Sequence, residues 1–298
     1  MKKILSIVLA ALMLVGCVAA FSACSQPEAY NNLNFGKELL AVGSQLDALN
    51  GLKKGDADVA VIDSVMAGYY MNDTEEFKDY QVLTTVTFAE EQYGIAAKKG
   101  NSALIGKINE AMIALVDTDY KAVGETYGLT TELLVKADTV NPNASATDDS
   151  WTKVVAAKKL IVGYTEFAPI AYHDGDGADA KFVGFDIDLA KAVVAYLNAT
   201  YNCAVEIEFE LIDWNQKESL LENGSIDLVW NGMTIADERL AAMEISVPYL
   251  ANKQVAIVKK ADAASFGTTM DSFTEYAKNC IITVEKGSAG EEIVCPVE

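Results

Sequence analysis

The stretch Leu221-Glu222-Asn223-Gly224-Ser225-Ile226-Asp227-Leu228-Val229-Trp230 decides the fold class. A helical period ends at Gly224, an Asp follows, and a short apolar run with the length and residue types of a buried strand comes next. The same grammar occurs once more, in Gly55-Asp56-Ala57-Asp58-Val59-Ala60-Val61-Ile62. Two lobes of similar α/β topology produce such a rhyme, although no longer internal repeat is present.

Working outward, the period alternates between helix and strand. Residues 44–52 have helical spacing with Ser44 as N-cap, and residues 58–62 read as a buried strand. Residues 93–98 are a strand, and residues 103–115 and 120–127 are amphipathic helices. Residues 136–151 are polar and aperiodic and read as a flexible linker. The pattern then restarts with a strand at 159–163, a turn-rich hairpin at 171–184, a helix at 186–198 and an alternating strand at 205–212. A helix at 214–223, a strand at 226–230, a long crossing strand within 248–259 and a last strand at 281–285 complete the reading.

The chain has 298 residues and 32.0 kDa, room for two domains. Hydrophobic residues make up 51% and charged residues 22%, which supports a large core and excludes wholesale disorder. With 23 Lys+Arg against 43 Asp+Glu, the net charge of −20 disfavours nucleic acid as a partner. One His and five Cys leave little material for a zinc site, and a Ser-His-Asp enzyme would hang on His173 alone. Asp174, Asp176 and Asp179 lack the rest of a calcium loop and read as a solvated turn. No cofactor or metal is called for.

Met1-Lys2-Lys3 followed by an uncharged apolar run over residues 4–21 reads as a secretory signal covering residues 1–23. Two cysteines end candidate lipoprotein boxes. Phe21-Ser22-Ala23-Cys24 has the better position, since polar Ser25-Gln26-Pro27-Glu28 follows, and Leu14-Val15-Gly16-Cys17 has the better residue types. Lipidation is expected at Cys24, with Cys17 as the alternative. An ordinary signal or an uncleaved anchor also fits the run, and each reading puts the folded part outside the cytoplasm. Cys280 and Cys295 could form a bridge there or remain two separate thiols.

Several stretches together resemble the bacterial extracellular solute-binding proteins, family 3, the polar amino acid receptors of ABC importers. They are Leu160-Ile161-Val162-Gly163-Tyr164-Thr165-Glu166-Phe167-Ala168-Pro169, Val183-Gly184-Phe185-Asp186-Ile187-Asp188-Leu189-Ala190, Asp213-Trp214, and Asn231-Gly232-Met233-Thr234-Ile235-Ala236-Asp237-Glu238-Arg239. Ser246-Val247-Pro248-Tyr249 and Gly287-Ser288-Ala289-Gly290-Glu291 complete the set. Residues 36–135 resemble the family's other half, through residues 55–63 and Tyr93-Gly94-Ile95-Ala96-Ala97-Lys98-Lys99-Gly100. The order of the halves departs from the family's, so the resemblance implies a type II, two-lobed Venus-flytrap fold in circularly permuted order. One lobe would comprise residues 93–259, and the other would be split into residues 29–92 and 260–298. A fragment of a tandem gene, or two chains completing each other as a swapped dimer, are the competing explanations to a monomeric permutant.

The resemblance also implies a cleft for a free amino acid. Arg239 matches the carboxylate-binding guanidinium, with Thr234 and the N–H groups around Ser288 and Ala289 beside it. Asp63 matches the ammonium-binding carboxylate, with the Gly232 carbonyl as helper. Phe167 and Trp214 match two aromatic walls. Glu166 and Asn231 are candidates to face the ligand side chain, and Ser44 and Gln45 are weaker ones. Asp58 and Asp227 are expected to organise the starts of strands and not to touch ligand. Ala236 departs from the family, which often has Thr there. The implied function is closure of two lobes around one amino acid and delivery to a membrane permease, from a lipid anchor on the outer face of the cell membrane or in the periplasm. No bond is made or broken in that reading. A dehydratase-type enzyme of cyclohexadienyl or arogenate chemistry on the same fold, with Glu166 as its acid–base group, and a sensor without transport are the alternatives.

Overall fold

The structure, a computed structural model, describes residues 33–72, 74–175 and 177–295. The signal at 1–23 and the candidate lipidation sites Cys17 and Cys24 lie outside the described residues. Among the described residues no helix is long and apolar enough to cross a membrane.

Three parallel strands open the spatial order at each side of one nine-stranded sheet. On one side β7 (Glu206–Leu211), β4 (Lys159–Tyr164) and β8 (Leu228–Thr234) run parallel, and β3 (Tyr80–Lys98) joins β8 antiparallel. On the other side β1 (Glu38–Val42), β11 (Ile281–Glu285) and β2 (Val59–Asp63) run parallel, and β10 (Leu250–Lys259) joins β2 antiparallel. β3 and β10 pair with each other along nearly their whole length and link the two sets. The short β9 (Met243–Ile245) pairs with β3 off this path. Parallel strands need helical crossovers. α6 (Phe185–Tyr201) connects β4 to β7, α7 (Lys217–Asn223) connects β7 to β8, and α1 (Gln45–Lys54) connects β1 to β2. This is the expected α/β architecture.

The rhyme in the sequence is a rhyme in structure. α1 ends at Gly55 and α7 ends at Gly224, both in the left-handed conformation (φ 81° and 78°). Asp58 then exchanges two hydrogen bonds with Ile281: its N–H donates to the carbonyl at 2.9 Å and its carboxylate accepts the Ile281 N–H at 2.8 Å. Asp227 does the same with Ile161, at 2.9 and 2.8 Å. Each Asp staples the start of a central strand to its parallel neighbour, the structural role expected of both. β2 is buried along its whole length, which is why it reads as an unbroken apolar run. β7 is an edge strand whose glutamates alternate outward, and Glu208 pairs with Lys159 across the strands.

β10 pairs with β2 through residues 254–257, inside the long crossing strand expected within 248–259. Two other expectations need correction. β3 starts at Tyr80, well before residue 93, because its N-terminal half is consumed by pairing with β10. Residues 136–151 are not a free linker. Asn141 donates to the Gly106 carbonyl at 2.8 Å and Asn143 donates to Glu244 at 2.9 Å. Asp148 and Ser150 accept the first N–H groups of α3 (Ser102–Ala114), those of Ala103 at 2.7 Å and Leu104 at 2.9 Å. Asn101 makes no side-chain cap of its own, so the polar residues that look unstructured in sequence are the cap of a distant helix. Ser150 also opens α5 (Ser150–Ala157). Cys203, Cys280 and Cys295 are free thiols, Cys280 buried and Cys295 part-exposed, so no bridge joins the last two.

Replacing both Asp148 and Ser150 by Ala removes this cap and lowers unfolding free energy by about 1–2 kcal/mol. Chemical denaturation measures it; an unchanged midpoint contradicts the capping role.

Candidate functional site

The C-terminal ends of the parallel strands from both sets converge on one cleft, where α/β folds place ligands because loops and helix starts project there. The cleft has an empty volume of about 300 Å³. One set of strands contributes Thr165 and Phe167 after β4, Trp214 after β7, and Asn231, Gly232 and Thr234 from β8, with Arg239 on α8 (Asp237–Ala242). The other set contributes Gln45 at the start of α1, Asp63 at the end of β2, Gln254 on β10, Glu285 at the end of β11, and Ser288 and Ala289 at the start of α10 (Ala289–Val294). Every residue singled out from the sequence therefore lines this cleft except Glu166 and the weaker candidate Ser44. Ser44 caps α1 by accepting the Asp47 N–H at 3.0 Å.

Glu166 turns toward the hairpin of β5 (Tyr172–Asp174) and β6 (Lys181–Val183). Its carboxylate pairs with the ring Nδ1 of His173 and accepts the His173 N–H at 3.2 Å. The sequence could not show that Glu166, the immediate neighbour of Phe167, points to the opposite side.

Arg239 is 4% exposed. Its Nη1 donates to the Thr234 carbonyl at 3.0 Å, and its Nη2 donates to Glu292 at 3.0 Å. Glu292 belongs to α10, on the other set of strands, so the guanidinium already bridges the cleft. The loop at Gly287–Ala289 is less open to an anion than its sequence suggests: the Gly287 N–H donates to Glu291 at 2.6 Å and the Ser288 N–H to the Glu285 carbonyl at 3.3 Å. Beside it lies a buried Lys217, on α7, whose ammonium donates to the Gly287 carbonyl at 3.1 Å and lies 4.9 Å above the Trp214 ring. Burial, then the charge of Arg239, pulls Lys217 down to about 8.

Asp63 sits in a cradle of amides. Its carboxylate accepts from Gln254 Nε2 at 2.6 Å and from the side-chain amides of Gln45 and Asn252, and its N–H donates to Gln45 Oε1 at 2.9 Å. The same Asn252 and Gln254 amides donate to Glu91 on β3, at 2.9 and 3.0 Å. The Thr234 hydroxyl donates to Glu91 at 3.1 Å. Asp63, both crossing strands and β8 thus form one polar network. Burial, then the neighbouring Glu91 charge, pushes Asp63 up to about 7. Burial, then Asp63, pushes Glu285 up to about 8.

Asn231 clasps Thr165: with the amide oriented to satisfy both groups, its oxygen accepts the Thr165 N–H at 3.1 Å and hydroxyl at 2.7 Å. Gly232 has φ +62°, and a Cβ there would lie 2.7 Å from Phe167 and 3.0 Å from Tyr93, so only glycine fits. The Gly232 N–H donates to Asp186 at 2.8 Å, and the Tyr249 hydroxyl donates to the same carboxylate oxygen at 2.8 Å. Asp186, wholly buried at the start of α6, holds the floor of the cleft from below. Burial pushes it up to about 7.

Thr165, Gln254, Glu285 and Lys217 were not found from the sequence. Glu285 stands next to the recognised Gly287-Ser288-Ala289 motif, the one signal that could have found it.

Asp186, Asp63 and Glu285 keep protons in the folded chain that the unfolded chain releases near pH 4. Their burial therefore weighs more as pH rises through about 4 to 8, and stability falls across that window. Asp186→Asn, which no longer titrates, flattens the decline of the unfolding midpoint between pH 5 and 8. Parallel curves for the two proteins contradict the assignment.

The family of bacterial extracellular solute-binding proteins, family 3, matches residues 160–290. A probable histidine-binding protein of Neisseria gonorrhoeae is 32% identical over 127 residues, 43% of this chain and 43% of that protein. The arginine-binding extracellular protein ArtP of Bacillus subtilis is 34% identical over 137 residues, 45% of this chain and 47% of its own length. The chain thus spans about half the length of these curated relatives. Among solved structures, a polar amino acid ABC uptake transporter substrate-binding protein from Streptococcus thermophilus is 35% identical, covering 35% of this chain and 36% of that one, with a TM-score of 0.27.

Proposed function

We propose that this protein is an extracytoplasmic receptor that closes two lobes around one free amino acid and hands it to an ABC import permease. The observation that carries the reading is the meeting of Arg239 and Asp63, from opposite sets of strands, in a single buried cleft. A zwitterion needs a fork of donors for its carboxylate and an anion for its ammonium, and desolvation makes either one indispensable. Thr234 supplements the first, the Gly232 carbonyl supplements the second, and Phe167 and Trp214 wall the aliphatic part. β3 and β10 are the two crossings about which the lobes turn. A ligand touching both lobes only when they are shut shifts the population toward the closed form. No bond is made or broken. The N-terminal segment supplies export and a lipid anchor at Cys24, or at Cys17.

Isothermal titration calorimetry against the twenty amino acids tests the reading. Reversible binding without product supports it, and turnover of a ring substrate supports a dehydratase instead. Arg239→Ala weakens binding about a hundredfold or more while the fold persists. Retained affinity in that variant removes Arg239 from the site.

We further propose that the two halves of the family's usual order are exchanged in this chain and fold as one unit. The support is local. β1 runs parallel to β11 in register from Glu38 beside Ile281 to Val42 beside Glu285. The Asn34 N–H donates to the Val294 carbonyl at 2.8 Å, and its side-chain amide donates to the Ile293 carbonyl at 2.8 Å. Segment 34–42 thus follows on from the end of α10. Light scattering on the eluting protein gives a monomer mass if the pairing is within one chain; a stable dimer assigns it to two chains that complete each other.

A further inference from the structure

Glu91 stands where β3 passes from one set of strands to the other. β3 pairs with β10 over residues 80–93, with Glu91 opposite Asn252, and with β8 over residues 93–97, with Tyr93 opposite Thr234. One oxygen of the Glu91 carboxylate, Oε2, gathers three donors from both neighbours. The Thr234 hydroxyl donates to it at 3.1 Å, Asn252 Nδ2 at 2.9 Å and Gln254 Nε2 at 3.0 Å. Thr234 lines the cleft on one side, and the two amides hold Asp63, which lines it on the other. Glu91 itself is not among the residues that line the cleft.

The two amides are held so that they cannot serve Asp63 without Glu91. Residues two apart on a strand point to one face, so Asn252 and Gln254 present their side chains together. An amide nitrogen carries two N–H groups, and each of these two nitrogens gives one to Asp63 and one to Glu91. Asn252 is fixed from behind as well: its Oδ1 accepts the Ser64 hydroxyl at 3.1 Å and the Val65 N–H at 3.4 Å, at the start of α2 (Ser64–Asn72). Turning either amide over would set an oxygen against two acids. Loss of the Glu91 acceptor leaves three buried donors without a partner and frees all three side chains to move.

From this geometry we infer that Glu91 is a positioning residue of the binding site, which locks Thr234 of one wall to Asp63 of the other through the crossing strands. The inference rests on the receptor reading above and deepens it. It has an electrostatic consequence. Burial, then the Glu91 charge, pushes Asp63 up to about 7, while Gln45, Tyr93 and Asn252 pull the other way as donors. Glu285, at the end of β11, is the other acid that faces Asp63. An ammonium is gripped only by the ionised carboxylate, so Glu91 raises the pH below which the grip is lost.

Two variants separate position from charge. Glu91→Gln keeps a carbonyl oxygen for the three donors and removes the charge, and Glu91→Ala removes both. Titration of the Asp63 carboxyl by carbon NMR, its signal assigned by its loss in Asp63→Asn, needs no ligand. The proton affinity of Asp63 falls about tenfold in Glu91→Gln. Calorimetry then takes each of the twenty L-amino acids in turn at about pH 8, where Asp63 is mainly ionised. For the tightest of them, Glu91→Ala binds at least about tenfold more weakly than the unaltered protein. Glu91→Gln stays within about threefold of it and keeps its affinity to a lower pH. An unmoved Asp63 titration in Glu91→Gln overturns the inference, as does full affinity in Glu91→Ala. Either result leaves the receptor reading standing. Absence of binding by all twenty amino acids overturns both. The titration and pH profile of Glu91→Gln decide the matter even if Glu91→Ala fails to fold.

Discussion

Parallel pairing of Glu38–Val42 with Ile281–Glu285 is the constraint on which the rest of the structure depends. It joins the opening of the described chain to its far end, which is an entropically demanding closure, and the return is a completed three-strand parallel layer. Without β1, the β11 strand would be an edge, and the unit β1-β11-β2 that mirrors β7-β4-β8 would not exist. Because β11 ends in Glu285 and β2 ends in Asp63, the same pairing sets one whole wall of the cleft. The Asp58–Ile281 and Asp227–Ile161 staples show that both walls are built by one device.

The second organising fact is that the cleft buries charge. A carboxylate withdrawn from water is tolerated only with donors around it. Asp63 has three amides, and Asn252 and Gln254 share their donors between Asp63 and Glu91. Those two amides stand on β10, while Glu91 stands on β3, so the network that steadies the Asp63 carboxylate runs through both crossing strands. The cleft and the two crossing strands are thereby tied together. The Arg239–Glu292 pair repeats the logic on the opposite side of the cavity, with a guanidinium of one wall held by a carboxylate of the other.

Residue type and spacing made much of this legible. Arg239 and Asp63 could be singled out because the stretches around them resemble motifs of the family, and Gly232 because it belongs to the same run as Arg239. Glu285, Gln254 and Lys217 escaped notice, since nothing in their immediate neighbours says that they are buried; their withdrawal from solvent comes from strands and helices distant in sequence. Glu166 was misplaced because adjacent side chains on an extended segment alternate direction, and its partner His173 sits on a hairpin that only folding brings beside it. Residues 136–151 look like a tether by composition, yet Asn141, Asn143 and Asp148 are pinned by groups of α3 and β9.

By itself, the sequence determined the α/β alternation and the Gly–Asp starts of the two central strands, because these depend on local periodicity and side-chain chemistry, and the resemblance of its motifs pointed to Arg239 and Asp63. Tertiary structure alone decided which strand completes which layer, where β10 crosses between them, and which acids share one cavity with Arg239. Those are matters of distance between segments remote along the chain, and burial, which pushes the Glu285 carboxyl up to about 8, exists only once such segments have met.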